Sequence, residues 1–212
     1  MKEILVDGQG LVNPAMPGSD YKFQVEKGME KTVYHLKTPL SQDDVEPLRA
    51  GDMVTISGKI YTARDTAHKR LVSLLDKNQD IPVPLKGQIF YYAGPSPAAP
   101  GKVIGAVGPT TSYRMDPYAP RLLELGLKGM IGKGKRSKEV VDAMVKYKGI
   151  YMAAIGGAGA LLARSVKSVR IVAYEDLGPE AIRELVVEKF PAIIINDTVG
   201  NDLYADSQNR SS

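Results

Sequence analysis

The sequence predicts an α/β fold in which a β-rich first half precedes a second half of alternating strands and helices. Up to about residue 62, short apolar segments alternate with polar residues between Gly and Pro, which is typical of strands and turns. From about residue 100 to 204, short apolar runs alternate with segments whose apolar residues recur at helical spacing. Such alternation indicates parallel strands joined by helices. Because 43% of the 212 residues are hydrophobic, the chain can bury a substantial core.

The first half contains two predicted strand regions and two predicted helices. Residues 33–36 are predicted to form a strand, and Ser41 precedes a short helix with acidic residues in its first turn. Residues 53–62 alternate in polarity around Gly58, which predicts a half-buried pair of strands. Residues 65–75 carry apolar side chains at helical spacing and are predicted to form an amphipathic helix.

The rest of the chain is predicted to alternate between strands and helices. The predicted strands span residues 89–92, 103–107, 129–131, 150–155, 169–174 and 192–196. The predicted helices span residues 118–125, 137–147, 158–166 and 179–190. Gly126 ends the first of these helices, Ser137 is the candidate N-cap of the second, and Pro179 lies in the first turn of the last. The predicted organisation is an N-terminal extension at 1–30, one domain at 31–204 and a polar tail at 205–212.

Composition excludes several classes of function. The chain has no cysteine, which excludes disulfides, thiol nucleophiles, zinc–thiolate sites and any iron–sulfur cluster held by its own thiolates. The two histidines, His35 and His68, give little support for a metal site. The net charge of +4 is spread along the chain, with one short basic run at 133–136, so we expect no nucleic-acid partner. No apolar run has the length of a membrane span and the start lacks a signal-peptide core, so we expect no membrane association and a cytoplasmic location.

Two of the four segments that could carry chemistry contain an arginine near the end of a predicted strand. Arg64 lies where the strand region at 53–62 meets the next helix. The alternative interpretation is a helix start in which Asp65 lies near the positive end of the helix dipole. Residues 108–117 combine hydroxyl side chains with Arg114 after a predicted strand, where ligands of α/β sheets bind. An arginine pairs bidentately with carboxylates or phosphates, whereas an ordinary Gly-Pro turn is the alternative interpretation.

The other two segments are rich in glycine. Residues 129–137 place glycines beside Lys133 at the start of a helix, which is an anion site in principle. Arg136 occupies the position where a phosphate-binding P-loop requires Ser or Thr, and a flexible exposed loop is the alternative. Gly156 and Gly157 follow a predicted strand and begin a dinucleotide fingerprint that lacks its third glycine. They either bring backbone N–H groups close to a ligand or allow a helix and a strand to pack closely.

Together, the segments favour a binding site for a small di-anion. They place Arg64, Arg114 and Lys133 at successive strand ends, and they contain neither paired carboxylates nor a histidine beside a nucleophile. Three cations in one cleft are suited to binding two carboxylates.

The same four segments, in this order, resemble the β subunit, or C-terminal domain, of class I iron–sulfur hydro-lyases. This family comprises the oxygen-sensitive fumarases and the related tartrate dehydratases. The matching motifs are Tyr61-Thr62-Ala63-Arg64-Asp65, Gly108-Pro109-Thr110-Thr111-Ser112-x-Arg114, Lys133-Gly134-x-Arg136-Ser137 and Gly156-Gly157-x-x-Ala160. Two further matches are Glu175-x-Leu177-Gly178-x-Glu180-Ala181-Ile182 and Asp197-x-x-Gly200-Asn201-Asp202. The resemblance covers residues 33–204.

The resemblance implies a swivelling β/β/α domain that acts as the hydro-lyase β subunit. In this family the domain closes against a larger α domain, which holds a 4Fe–4S cluster through three cysteines and leaves one iron open for substrate. The implied cofactor would therefore be carried by the partner, and this chain would hold no metal. The implied partners are a cluster-bearing α subunit and a small dicarboxylate, in a hetero-oligomer. A homodimer is the alternative for the isolated chain.

The resemblance also implies roles for individual residues, carried over by position within the motifs. Arg64, Arg114 and Lys133 would bind the substrate carboxylates, and Thr110 would be the base that removes the C3 proton of malate. The supporting candidates are Thr111, Asp65, His68, Arg136, Gly156 and Gly157. Of these, His68 either orients Arg64 or lies on a solvated helix face, and we prefer the second interpretation.

The activity that the resemblance implies is the reversible hydration of fumarate to L-malate. In the implied mechanism, the open iron acts as a Lewis acid on the substrate hydroxyl, and the cations stabilise charge that builds on a carboxylate. Dehydration of L-tartrate is the alternative within the family. A stand-alone anion- or nucleotide-binding module and a purely structural protein are the alternatives from other classes.

Overall fold

A computed structural model describes residues 33–155 and 159–205, except for the side chain of Leu161. The predicted extension at 1–30, Gly156, Gly157 and residues 206–212 of the predicted tail lie outside these residues. The described strands are β1 (Val33–Lys37), β2 (Met53–Thr62), β3 (Ile89–Tyr91), β4 (Gly129–Gly132), β5 (Ile150–Ala154), β6 (Val166–Ala173) and β7 (Ile182–Asn196). The described α-helices are α1 (Gln42–Val45), α2 (Asp65–Asp76), α3 (Ala119–Glu124), α4 (Lys138–Tyr147) and α5 (Gly159–Ala163). Two short 3-10 helices are η1 (Ser112–Met115) and η2 (Glu175–Glu180).

The strands form one sheet that closes on itself. Their order is β1-β2-β3-β4-β5-β7-β6, and an additional pairing joins β2 to β7. The pairs from β1 to β5 are parallel, whereas β7 runs antiparallel to β2, β5 and β6. The 15 residues of β7 make this possible, because its first half pairs with β6 and its second half with β5 while β2 lies along its other side. The ring therefore consists of β2, β3, β4, β5 and β7, and the α/β fold class is confirmed.

The two faces of the sheet contribute to two separate apolar cores. In β3, Ile89 and Tyr91 belong to one core, whereas Phe90 and the following Tyr92 belong to the other. This division follows from the strand period of two, which directs successive side chains to opposite faces. The first core also receives side chains from α1 and α5, and the second receives those of α2, α3 and α4. Helices therefore cover both faces of the sheet.

The caps of three helices agree with the sequence predictions. At α1, Ser41 Oγ accepts from the backbone N–H of Asp44 at 3.2 Å, and the Asp44 carboxylate accepts from the Ser41 N–H at 2.7 Å, which makes a capping box. At α4, the predicted N-cap Ser137 accepts from the N–H of Val140 at 3.4 Å. Gly126 follows the end of α3 with a φ of 99°, a conformation that glycine adopts readily.

The predicted pair of strands at 53–62 is wrong, because these residues form the single strand β2. Gly58 lies at a β-bulge, where the register of β2 against β7 shifts between Ile56 and Gly58. The φ of Gly58 is 110°, a conformation that accommodates the β-bulge in the pairing of β2 with β7. Gly58 therefore does not form a turn between two strands.

The predicted helix at 179–190 is also wrong. Pro179 lies in η2, and the residues from Ile182 onwards form β7, of which the predicted strand at 192–196 is the last part. Leu185 and Phe190 are buried, in agreement with the apolar spacing that suggested a helix. Hydrogen bonding to strands on both sides outweighs the helix propensity of this segment.

The predicted strand at 103–107 is a loop. Val103 is exposed, whereas Val107 is buried and its N–H donates to the carbonyl of Gly159 at 3.1 Å. The hydroxyl of Tyr91 donates to the carbonyl of Val107. The backbone N–H and carbonyl of Val107 therefore both have hydrogen-bond partners without a neighbouring strand.

The helix predicted to continue to residue 166 is shorter in the structure. It ends at Ala163, and Val166 begins β6. In the part of the chain that the structure describes, we find no helix with the length and apolar character needed to cross a membrane.

Candidate functional site

The carboxyl ends of four neighbouring parallel strands lie side by side. Thr62 of β2 pairs with Tyr91 of β3, Tyr91 pairs with Ile131 of β4, and Ile131 pairs with Met152 of β5. The segments that follow these strands therefore begin at the same edge of the sheet, which is where α/β sheets bind ligands.

The loop at 108–116 joins this edge through main-chain hydrogen bonds. The N–H of Thr110 donates to the carbonyl of Tyr92 at 2.6 Å, and the N–H of Lys133 donates to the carbonyl of Thr110 at 3.2 Å. The N–H of Ser112 in turn donates to the carbonyl of Lys133 at 2.9 Å. Thr111 and Lys133 form a parallel bridge, so the backbone places the Thr110 and Lys133 segments next to each other.

Arg114 connects two of the predicted site residues. Its Nη2 donates to the hydroxyl oxygen of Thr110 at 2.7 Å, and its Nη1 donates to Oδ2 of Asp65 at 3.2 Å. The side chain is 35% exposed, so a ligand can reach it. A guanidinium that donates to the Thr110 hydroxyl stabilises negative charge on that oxygen.

Arg64 occupies the N-cap position of α2 and reaches a residue from a distant part of the chain. Its Nη2 lies 3.1 Å from Oε1 of Glu180, and its Nε lies 3.7 Å from Oδ1 of Asp65. Asp65 therefore lies between the two arginines, Arg64 and Arg114. A Cβ at residue 94 would lie 3.0 Å from Nη1 of Arg64, so Gly94 leaves room for the guanidinium.

Lys133 differs from the two arginines in its side-chain contacts. The residue is half-buried, and its backbone is fixed by the bonds to Thr110 and Ser112. Across residues 33–155 and 159–205, no side chain or carbonyl accepts a hydrogen bond from its ammonium group. The ammonium is therefore free to bind an anionic ligand.

We call the charged residues at this edge the cationic cluster. Its members are Arg64, Asp65, Arg114, Lys133 and Glu180. Three cations against two carboxylates leave a net positive charge at the strand ends. The arrangement brings the predicted Arg64, Asp65, Thr110 and Arg114 into one connected set of contacts, and main-chain bonds join Lys133 to it.

Arg136 lies beneath the cationic cluster and is not accessible to a ligand. Its side chain is fully buried, and its Nε donates to Oδ1 of Asp116 at 2.7 Å. Its guanidinium lies over the rings of Tyr92 and Tyr151, with Cζ 5.4 and 5.0 Å from their centroids. Asp116 also accepts from the N–H of Ser137 at 2.7 Å. Arg136 therefore ties the end of η1, which carries Arg114, to the start of α4.

The preferred interpretation of His68 as a residue on a solvated helix face is wrong. His68 is fully buried, with ring centroids 5.7 Å from Phe90 and 5.3 Å from Tyr92. Its Nδ1 lies 2.8 Å from the carbonyl oxygen of Arg64. Burial lowers the pKa of His68 to about 4, so the ring is neutral at pH 7 and Nδ1 donates to that carbonyl. His68 contacts Arg64 through the main chain and not through its guanidinium.

The fourth predicted segment is described only in part. Gly156 and Gly157 lie outside the described residues. Gly159, at the start of α5, packs against the backbone of Gly108 so closely that a Cβ at residue 159 would overlap it. Glycine at 159 therefore allows α5 to approach the loop that carries Thr110.

The donor groups that a metal cluster needs are not found together in the described part of the chain. It contains no cysteine. In the described residues, no group of three or more His, Cys, Asp or Glu side chains is arranged to hold a metal ion. The two carboxylates of the cationic cluster, Asp65 and Glu180, are paired with arginines. A 4Fe–4S cluster held by thiolates therefore does not fit the donor set of the described residues.

Sequence reasoning missed the contribution of Glu180 to the site. Glu180 lies at the end of η2, just before β7, in the segment that was predicted to be a helix. The motif at 175–182 matched the family, yet nothing in its spacing connected it with Arg64. The contact arises because β7 pairs with β2, which brings the turn before β7 next to the end of β2.

Comparisons with known proteins find one matching family model and several similar enzymes. A family model described as the fumarase C-terminus matches residues 8–207. Fumarate hydratase 2 of Leishmania major is 37% identical over 85% of this chain and 31% of its own length. The aerobic class I fumarate hydratase of Escherichia coli (strain K12) is 41% identical over 73% of this chain and 29% of its own length. The putative L(+)-tartrate dehydratase subunit beta of Methanocaldococcus jannaschii is 40% identical over 79% of this chain and 89% of its own length. The chain thus spans less than a third of those two fumarate hydratases, but most of the tartrate dehydratase subunit.

Proposed function

Because the chain belongs to the fumarase C-terminus family, we propose that it is the β subunit of a hydro-lyase that acts on a small dicarboxylate. The observation that carries this proposal is the set of contacts joining Arg64, Asp65, Arg114 and Thr110 at the strand ends, to which main-chain bonds join Lys133. Two carboxylates are the ligand chemistry that three converging cations favour.

In the proposed mechanism, the cations bind and orient the substrate. Arg64 and Lys133 bind its carboxylates, and the exposed part of Arg114 adds a further donor. As a proton leaves the carbon next to a carboxylate, negative charge builds on that carboxylate, and a fixed cation stabilises the charge without rearrangement. The backbone hydrogen bonds of Thr110 and Lys133 fix the main chain from which both side chains start, so the backbone needs little reorganisation when substrate binds.

Thr110 is the proposed group that accepts the C3 proton of malate. A neutral threonine hydroxyl is too weak a base for this step, so the proton acceptor would be the alkoxide that forms when the hydroxyl proton has passed to solvent, and this negatively charged form needs a stabilising partner. The Nη2 of Arg114, at 2.7 Å from the hydroxyl oxygen, supplies that stabilisation. Arg114 thus supports both substrate binding and the ionised state of Thr110 that would accept the proton.

A 4Fe–4S cluster on a second polypeptide is part of the proposal. The cluster would bind the substrate hydroxyl and would be held by that partner's cysteines, since this chain has none. Residues of this chain would close the dicarboxylate-binding side of the site. The assembled enzyme is therefore proposed to be a hetero-oligomer, and activity is expected only in the presence of the partner.

Fumarate and L-malate are the proposed substrates, and L-tartrate is the second candidate. The fumarate hydratases among the relatives support the first. The tartrate dehydratase subunit supports the second, because this chain covers 89% of its length and would likewise be a separate subunit.

A nucleotide-binding module is less well supported. A cavity of about 340 Å³ lies between the loop after β3 and the turn at Gly178 and Pro179. Arg183 lies in its lining, but its guanidinium already donates to backbone carbonyls, including those of Gly178 and Ala181. The cavity therefore offers no unpaired guanidinium for a phosphate.

The proposed function is tested by anaerobic purification of the chain from its native cells. We expect a cysteine-containing polypeptide to co-purify, with broad iron–sulfur absorbance and dehydration of malate or tartrate by the complex. Comparing the two substrates at equal concentration decides between the two candidates. A chain that purifies alone, and that binds phosphate-bearing ligands in place of dicarboxylates, would contradict the proposal.

Substituting Arg114 tests the site itself. Arg114→Ala should lower kcat/KM for the dicarboxylate by about 100-fold or more, because it removes a cation that contacts both substrate and Thr110. The thermal midpoint should change little, since the side chain is partly exposed. The control is Arg121→Ala on α3, an arginine whose ion pair is with Glu124 and which lies outside the cationic cluster. Equal activity in the Arg114 and Arg121 variants would remove Arg114 from the site.

A further inference from the structure

The turn before β7 is attached to α2 by two ion pairs. Near the start of the helix, Nη2 of Arg64 lies 3.1 Å from Glu180. Six residues later, Arg70 donates to both carboxylate oxygens of Asp176, at 2.8 and 2.5 Å. The ring of Tyr174 packs against the Arg70 guanidinium, with Cζ 5.2 Å from its centroid. The two pairs join the same two elements, but only the first involves a residue of the cationic cluster.

Glu180 is held at both of its carboxylate oxygens. While Oε1 faces Arg64, Oε2 accepts from the backbone N–H of Thr66 at 3.4 Å. Thr66 lies in the first turn of α2, where N–H groups lack helical partners, and Arg64 at the N-cap provides no side-chain cap. The positive end of the helix dipole also favours a carboxylate at this position. Glu180 is therefore anchored to the helix as well as to Arg64.

The contact with Glu180 uses only one side of the Arg64 guanidinium. Over the described residues, no acceptor is bonded to Nη1, which lies beside Gly94. The arginine side chain is 23% exposed, so part of it remains accessible to a ligand. Glu180 thus restrains the side chain while leaving a donor for a ligand carboxylate.

We propose that Glu180 is a positioning residue, which fixes the guanidinium of Arg64 for binding a substrate carboxylate. The inference rests on the proposed function for its substrate, but the restraint on Arg64 follows from the contacts of this chain alone. A long arginine side chain loses considerable rotamer freedom when it binds a ligand, and a carboxylate that already holds it lowers that cost. Because Arg64 would contact the carboxylate in both substrate and transition state, its loss of order should raise KM more than it lowers kcat.

Glu180→Gln removes the charge while keeping the shape of the side chain, and two measurements follow its effect. The first is the ¹H–¹⁵N NMR spectrum of the arginine side chains in the full chain. In the wild type, the restrained Arg64 should show separate Nη signals, assigned by their loss in Arg64→Lys. The second is steady-state kinetics of the complex with its cluster-bearing partner. In Glu180→Gln, we expect the separate signals to merge and KM for the dicarboxylate to rise about 10-fold, with kcat within about 3-fold of the wild type.

The matched control is Asp176→Asn, which removes a carboxylate charge from the same turn and an ion pair to the same helix, but leaves Arg64 untouched. We expect Asp176→Asn to leave both the Arg64 signals and KM near their wild-type values. Equal effects of the two variants would show that attachment of the turn, and not positioning of Arg64, is what matters, and would overturn the inference. A lower KM in Glu180→Gln would also overturn it, since Glu180 would then compete with substrate for Arg64.

The two proposals fail in distinguishable ways. If the wild-type complex acts on neither fumarate, malate nor tartrate, the proposed function fails. The NMR comparison would still decide whether Glu180 restrains Arg64. Unchanged Arg64 signals in Glu180→Gln would overturn the inference even if the complex is an active hydro-lyase.

Discussion

At the scale of single residues, Arg114 joins two other residues of the candidate site. It donates to the hydroxyl of Thr110 and to the carboxylate of Asp65, which also lies near Arg64. In the proposed mechanism a cation in this position has two effects: it attracts an anionic substrate, and it stabilises the ionised, alkoxide form of Thr110, which is the form that can accept a proton. The chemistry of Thr110 therefore depends on a neighbour four residues later in the chain.

Removing the Thr110 hydroxyl should separate proton transfer from binding. Thr110→Val has nearly the same shape, so we expect exchange of the C3 proton of malate to fall by at least 100-fold in the assembled enzyme. The Kd for malate should change by less than about 5-fold, because Arg64 and Lys133 remain. The measurement is isotope exchange from deuterated solvent. Thr110→Ser, which restores a hydroxyl, should recover much of the exchange, and fast exchange in Thr110→Val would exclude Thr110 as the base.

Sequence reasoning located the cations of the site but not all of their surroundings. Arg64, Arg114 and Lys133 could be found because each follows an apolar run near a strand end. His68 was misplaced because Lys69 and Arg70 follow it and suggest a solvated face. Its spacing from Leu71, three residues on, in fact puts it on the apolar side of α2, and that signal was available.

At the scale of elements, β7 shows why a helical pattern can belong to a strand. Its apolar residues are spaced irregularly because the strand passes a bulge opposite Gly58 and changes partners from β6 to β5 along its length. The spacing of apolar residues predicts which residues are buried, but it does not predict which other elements pack against them. Glu180 was missed for the same reason, since its contact with Arg64 depends on the pairing of β7 with β2.

The strand pair at the β-bulge should be sensitive to any side chain at residue 58, which lies in β2 opposite the extra residue of β7. In Gly58→Ala, the φ of 110° is strained, and the new Cβ would lie 2.5 Å from Oγ1 and 3.1 Å from the carbonyl oxygen of Thr38. We expect the free energy of unfolding to fall by about 3 kcal/mol. The control is Gly101→Ala, where φ is 75° but no atom lies within 4 Å of the added Cβ, so a loss of about 1 kcal/mol is expected. Urea denaturation measures both, and equal losses would contradict the steric explanation.

At the scale of the whole molecule, the closed ring of strands creates two cores with different surroundings. The core under α2, α3 and α4 includes polar and charged side chains such as His68 and Arg136, close beneath the site. Burial lowers the pKa of His68 from 6.5 to about 4. The His68 ring is therefore protonated near pH 6.5 in the unfolded chain but only near pH 4 in the folded chain. This difference makes the free energy of unfolding depend on pH.

We expect the contribution of neutral, buried His68 to the free energy of unfolding to be fully present above pH 6.5. As the pH falls towards 4 this contribution should be lost, by about 3 kcal/mol in all. His68→Gln should be less stable than the wild type at pH 7.5, but its stability should fall less steeply between pH 6.5 and 4. Urea denaturation at a series of pH values measures this slope. The control is His35→Gln, which replaces the other histidine of the chain at an exposed position. Identical slopes in the wild type and His68→Gln would contradict the assignment.

The main-chain bonds between the Thr110 loop and the end of β4 have a consequence for how such a protein can change over generations. Peptide groups, which every residue except proline possesses in full, fix where Thr110 and Lys133 lie. The side chains at residues 110 and 133 then determine only which chemical groups are presented to a ligand. A lineage can therefore exchange one acidic substrate for another by altering a few groups at the rim, while the underlying scaffold is inherited intact.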